Sequence, residues 1–178
     1  GLSASAGLNA YIPLLIVSLI AKFTDLINLK SPWDTLTSWW VIGAIVVLGT
    51  IEFFADKIPA VNHVNDIVQS FVRPAAGAIV FAANADVLTD ISPILSIVAG
   101  LLVAGSVHTV KSVAVRPALT ATTAGAANTP VSIAEDVIST FLSILAVLIP
   151  IIIGIILVLA VTTFIWWRWR KFNAEQRV

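Results

Sequence analysis

Five ionisable side chains lie in stretches of this sequence that are otherwise apolar enough to cross a lipid bilayer. Glu52 and Asp56 close the run that starts at Trp39, Arg73 interrupts Ile67–Gly77, and His108 and Lys111 punctuate Ile94–Val115. A charge at the centre of a membrane helix costs roughly 2.5–3.5 kcal/mol on insertion scales, and residues kept there at that cost mark ion, proton or solute paths. Glu52 and Asp56 are four residues apart, so on a helix they share a face and repel. Such a pair persists only beside cations, with a bound ion, or with a proton on one member. Arg73, Lys111 and Arg116 are the candidate counter-charges. His108 stands three residues from Lys111 on the same helix face, and beside carboxylates it could relay a proton near neutral pH. The small polar loop Thr120–Pro130 adds Asn128, placed to assist anion capture by the amides of the helix start that follows. The candidate substrate- or ion-binding set is therefore Glu52, Asp56, Arg73, His108, Lys111 and Asn128.

Other charges have simpler explanations. Lys57, Asp66, Arg116 and the C-terminal bases read as interface anchors that reach back to water. Ser132 and Glu135 have capping-box spacing, which accounts for Glu135 as part of a helix start. Glu52, Asp56, His63 and His108 could ligate a metal, but no motif fixes their spacing. The chain has no cysteine, which rules out thiolate sites and disulfides. Gly105-Ser-Val-His108 with Lys111-x4-Arg116-Pro117 is similar to membrane lipid phosphatases only loosely, because their Lys-to-Arg spacing is longer and a further histidine follows. The Gly-x-Ser-x-Gly nucleophile elbow is missing. An enzyme is not expected, and no pattern names a cofactor.

These residues must be positioned by membrane helices. Of the 178 residues 58% are hydrophobic, and several apolar runs approach the length of about 20 residues that spans hydrocarbon as a helix. A lipid-exposed backbone must satisfy its own hydrogen bonds, so the prediction is an all-α polytopic transmembrane bundle forming one domain, residues 1–178. Ten bases balance ten acids, which gives no footprint for nucleic acid. The bilayer is the first partner, with further copies of the chain or a larger membrane complex beyond it. Five segments are expected, near 2–21, 39–54, 66–83, 93–115 and 134–169. The third, short and carrying Arg73-Pro74, reads as broken or re-entrant. The fifth is too long for one perpendicular crossing and carries Pro150, so it reads as one kinked helix. Gly1 does not read as a translation start, and residues 1–20 lack the basic n-region of a signal peptide, so they read as a true helix. Arg168, Arg170, Lys171 and Arg177 follow Trp166, Trp167 and Trp169, which predicts a cytoplasmic C-terminus.

Two internal patterns stand out. Asp66-Ile-Val-Gln-Ser-Phe-Val72 echoes Asp136-Val-Ile-Ser-Thr-Phe-Leu142, each following a proline-bearing stretch and a helix with charges near its end. Repeats of this kind are common in transporters, whose sites form where the halves meet. Small residues line the first, third and fourth segments, a spacing that lets membrane helices approach closely.

The opening Gly-Leu-Ser-Ala-Ser-Ala-Gly-Leu-Asn-Ala-Tyr-Ile-Pro13 resembles that of a bacterial family of small integral membrane proteins catalogued as domain of unknown function 4126. So do Glu52-Phe-Phe-Ala-Asp-Lys-Ile-Pro59, Val72-Arg-Pro-Ala-Ala-Gly77 and His108-x-x-Lys111. The resemblance implies five or six membrane segments in the bacterial inner membrane and no established activity. The stretch after Pro59 departs from the family pattern, and the Asn128–Pro130 region matches it less clearly. The Phe-x-Arg-Pro context is also similar to families that flip lipid carriers, by analogy alone. The expected function is transport or permeation of a small anionic or zwitterionic solute or a lipid headgroup. The alternative is a non-catalytic structural or accessory subunit of a larger membrane complex.

Overall fold

The computed structural model describes residues 1–88 and 92–175, and all regular structure within them is helical. Seven α-helices follow in order: α1 Leu2–Leu8, α2 Tyr11–Phe23, α3 Trp39–Ala55, α4 Pro59–Leu88, α5 Pro93–Thr109, α6 Arg116–Thr123 and α7 Asn128–Glu175. A 3₁₀ turn at Trp33–Thr37 leads into α3, and a π-helical turn at Val110–Val115 joins α5 to α6. Three stretches, Val64–Ala85, Pro93–Thr123 and Asn128–Pro150, are long and apolar enough to cross a membrane; Tyr11–Phe23 and Trp39–Ala55 are shorter apolar helices. The chain divides into two compact units, Gly1–Ile144 and Leu145–Val178. The second unit consists of the latter part of α7, on which Trp166, Trp167 and Trp169 are exposed.

Several segments differ from the sequence reading. The third segment is not broken at Arg73-Pro74: α4 runs unbroken for 30 residues with Pro74 inside it. Proline removes one N–H from the ladder, and membrane helices tolerate that loss where neighbours pack closely. Here they do, because α4 and α5 cross at glycines. A methyl group on Gly77 would run into Ala104 Cβ, and one on Gly100 would meet Ala78 Cα and Phe81 Cβ, each at 2.7 Å. The break falls in the first segment instead. Asn9 leaves helical geometry at φ −144°, ψ 125°, and its side chain caps the next helix, Oδ1 accepting from Tyr11 N and Ile12 N at 3.1 Å each. Pro13 then sits in the first turn of α2, where its missing N–H costs nothing. The fifth segment is one helix through Pro150, as expected, although it starts earlier, at Asn128.

The core of the first unit is built on small side chains. Ala6, Ala10, Ala76, Ala82, Ala83 and Ala104 are buried, and α1 packs on both α4 and α5. Gly7 lies so close to α5 that a Cβ there would sit 2.6 Å from the Ala104 carbonyl oxygen and from Val107 Cβ. Helices this close can exchange side-chain hydrogen bonds. Ser3 Oγ donates to the Gly77 carbonyl at 3.1 Å, and Ser5 Oγ meets Ser139 Oγ at 2.7 Å and Ser143 Oγ at 2.6 Å. The short α1 is therefore held between α4 and the first part of α7.

Candidate functional site

The end of α3 points its charges inward. Ile42, Ile45 and Glu52 share the buried face of that helix, and Asp56 follows its last residue by one position. Across from them, Arg73 projects from the middle of α4 and is fully buried. Its guanidinium grips Glu52 Oε1 from Nε at 3.1 Å and from Nη2 at 2.8 Å, and Nη2 reaches Asp56 Oδ2 at 3.3 Å. Nη1 turns the other way, 3.4 Å from the Gly7 carbonyl oxygen and 3.4 Å from His108 Nδ1. Because arginine can only donate, Nδ1 of His108 accepts, and Nε2 carries the hydrogen that faces Ser70 Oγ at 3.2 Å. The imidazole is thus held neutral in one tautomer.

Asp56 is the hub. Its Oδ2 receives Arg73, Lys111 at 3.4 Å, Arg116 at 3.0 Å and Ser132 Oγ at 3.2 Å, while Oδ1 accepts from Asn65 at 2.6 Å. Burial disfavours its charge, and Lys111, Arg73 and Arg116, with the Asn65 hydrogen bond, compensate for that cost. Lys111 Nζ also donates to the Leu8 carbonyl at 3.1 Å and lies 2.7 Å from Glu135 Oε2. Arg116 adds Asp66 and Glu135, each at 3.6 Å.

The π-helical turn accounts for how Lys111 and Arg116 act together. At 3.6 residues per turn, positions five apart point about 140° away from each other. Bonding of the i→i+5 kind widens the turn, so the two side chains converge on Asp56 and Glu135.

The structure thus brings together Glu52, Asp56, Arg73, His108 and Lys111, and leaves Asn128 apart. Asn128 begins α7 and donates to Thr120 Oγ1 at 3.1 Å across the α6–α7 connection. Two further readings change. Arg116 is 7% exposed and belongs to the network rather than anchoring at an interface. Ser132 and Glu135 are not a capping box, because α7 has already begun at Asn128; Ser132 donates to Asp56 and Glu135 pairs with Lys111 instead. Sequence reasoning also missed Asn9, whose amide donates to Asp136 Oδ1 at 2.9 Å. The side chain of His63, considered as a metal ligand, lies outside the described residues, as do Arg177 and the side chain of Lys171. Among the described residues, no three side chains of metal-ligating type converge.

The echoed segments occupy matching places. Ser70 Oγ donates to the Asp66 carbonyl and Thr140 Oγ1 to the Asp136 carbonyl, both at 2.8 Å, and both phenylalanines, Phe71 and Phe141, are exposed. Each aspartate pairs with a base beyond the helix that precedes the other copy. Asp66 meets Arg116, and Asp136 meets Lys57 at 2.8 Å. Two cavities touch the α1–α2 break. One of about 340 Å³ is lined by Leu8, Val107, Val110, Lys111, Val115 and Glu135. The other, about 230 Å³, is lined by Asn9, Tyr11, Ile45, Gly49, Thr50 and Phe53 among others.

The family model described as Domain of unknown function (DUF4126) matches residues 1–170. The chain belongs to this family. No curated protein and no solved structure matches it. The motifs that carried the resemblance include the residues of the network itself: Glu52 and Asp56 in one, Arg73 in the next, His108 and Lys111 in the last.

Proposed function

We propose that this protein is a small membrane transporter or permeation protein whose site is the buried ion network at the break between α1 and α2. The carrying observation is that the carbonyls at this break, Gly7 and Leu8, face two buried cations, Arg73 and Lys111. Discontinuous helices whose free backbone ends face charge at mid-membrane are how secondary transporters build their sites, at the junction of repeated halves. The crossed pairing of Asp66 with Arg116 and Asp136 with Lys57 supports such a junction. The cargo is a small anionic or zwitterionic solute or lipid headgroup, recognised by Lys111 and Arg73 after exchange with the carboxylates that hold them now. The bases after Trp169 favour a cytoplasmic C-terminus, and the family resemblance favours the bacterial inner membrane.

Proteoliposomes test this. Solid-supported-membrane currents would be recorded on addition of inorganic phosphate, acetate, glycine or glycerophosphocholine, together with dequenching of a headgroup-labelled lipid. At least one should give a response that Arg73→Ala and Glu52→Gln abolish while the variants still elute as folded protein. Full responses in folded variants would remove the site assignment. A silent panel, with a stoichiometric partner protein in native-detergent purification, would favour the accessory-subunit reading. The exposed tryptophans of the Leu145–Val178 unit would then be the place to look for a partner's contact.

A further inference from the structure

Glu52 and Asp56 share the Nη2 of Arg73, at 2.8 and 3.3 Å, so their carboxyl groups are near neighbours in a water-poor site. Two like charges so placed do not both persist at no cost, and the environment of each decides which one yields. Asp56 has donors on both oxygens from five side chains. Glu52 has donors on Oε1 alone. Its Oε2 is buried and without a hydrogen-bond partner among the described residues. Two other carboxylate oxygens share that description, Glu135 Oε2 and Asp66 Oδ1, but each lies in an ion pair, with Lys111 and with Arg116; Oε2 of Glu52 has none. The glutamate is 1% exposed. An ionised carboxylate with a bare oxygen is the costly state in such a place, and the acid form is the inexpensive one.

We infer that Glu52 is a proton-binding site, carrying an exchangeable proton on Oε2 while Asp56 stays ionised. Binding forms one O–H bond and removes one negative charge; release returns the proton to water. The groups that bear on Glu52 are Arg73 from α4, Asp56 beyond its own helix end, Lys111 from the π turn and Tyr11 from α2. His108 is excluded as the carrier, because its Nδ1 already accepts from Arg73 and a second ring proton would face the guanidinium. The cavity lined by Tyr11, Gly49 and Phe53 lies along the same stretch of α3, with Gly49 one turn before Glu52. The assignment goes beyond the transport reading, and its test needs no transported solute.

The experiment is infrared difference spectroscopy of the purified protein in liposomes, between mildly acidic and mildly alkaline buffer. The expected result is the carbonyl band of a buried carboxylic acid. It should shift in heavy water, vanish in Glu52→Gln and survive in Glu135→Gln. If Glu52→Gln does not fold, Glu52→Asp keeps an acid group and should move the band without removing it. Absence of an acid band, or a band unchanged in the Glu52 variants, would each overturn the assignment. Because the readout is a vibration of Glu52, it can fail while transport succeeds, and succeed while transport fails.

Discussion

The two carboxylates at the end of α3 should differ sharply in what their removal costs. Asp56→Asn takes away the anion that Arg73, Lys111 and Arg116 share, at 3.3, 3.4 and 3.0 Å. Breaking a buried ion pair from one side costs about 3–5 kcal/mol, because the partner charge stays behind without compensation. Glu135 and Glu52 retain part of the cations, so the lower end, about 3 kcal/mol, is the expected loss. That is roughly two orders of magnitude in the unfolding constant. Glu52→Gln replaces a neutral acid by a neutral amide. Its carbonyl still accepts both arginine hydrogens at Oε1, so the loss should stay within about 1 kcal/mol, the scale of one ordinary hydrogen bond. Were Glu52 ionised, two charge-assisted bonds at about 1.5–3 kcal/mol each would be weakened, and the variants would look alike. Reversible unfolding in mixed micelles, followed by the fluorescence of the six tryptophans, measures both. Removing Lys111 as well (Asp56→Asn with Lys111→Met) should return part of the loss, with a coupling of about 1–3 kcal/mol. Equal costs for the two single variants, or an Asp56→Asn loss under about 1 kcal/mol, would refute the reasoning.

The close crossing of α4 and α5 predicts that Gly100→Ala is destabilising by about 1–3 kcal/mol, since its methyl would meet Ala78 Cα and Phe81 Cβ at 2.7 Å. Gly43→Ala, with nothing within 4 Å, should gain up to about 1 kcal/mol of helix propensity, and thermal melts in detergent separate the two outcomes. Asn9→Ala removes the α2 cap and the bond to Asp136. It should cost about 1–2 kcal/mol and speed hydrogen exchange of the Tyr11 and Ile12 amides; unchanged exchange at those two amides would mean the side chain does not hold the break.

Much of this was legible from residue types. Apolar runs of membrane length can only become helices, and charges inside them can only be tolerated by meeting one another. Glu52, Asp56, Arg73, His108 and Lys111 therefore announced a common site without any contact being known. The failures have definite physical origins. Arg73-Pro74 looked like a breaker because proline disrupts exposed helices, yet the glycines of α4 and α5 supply packing that carries the helix through. The true break at Asn9 had a signal, an asparagine four residues before a proline, which is the composition of a capped helix start. Ser132 and Glu135 imitated a capping box because nothing local shows that α7 begins four residues earlier. Arg116 was named both as a counter-charge and as an interface anchor, and spacing alone could not decide between them. Five residues from Lys111, it belongs on another face unless the helix widens into a π turn, and no residue in Val110–Val115 advertises that.

The π turn also bears on whether the network is a staple or a site. A staple needs only that charges be paired and saturated, and well-packed apolar side chains would serve stability as well or better. This network gathers Arg73, Lys111 and Arg116 around one carboxylate, uses irregular helix geometry to do so, and leaves Glu52 Oε2 without a hydrogen-bond partner among the described residues. Lys111 and Glu135 also line a cavity rather than a sealed core. π-helical turns are rare and frequent at functional sites, because their cost must be returned by something other than packing. What is returned here is convergence. Loss or gain of one charge at Glu52 changes how tightly Arg73 is held, and Arg73 in turn holds the Gly7 carbonyl at the end of α1 and the ring of His108. A proton at one oxygen is thereby linked through a single side chain to the short helix that closes the site.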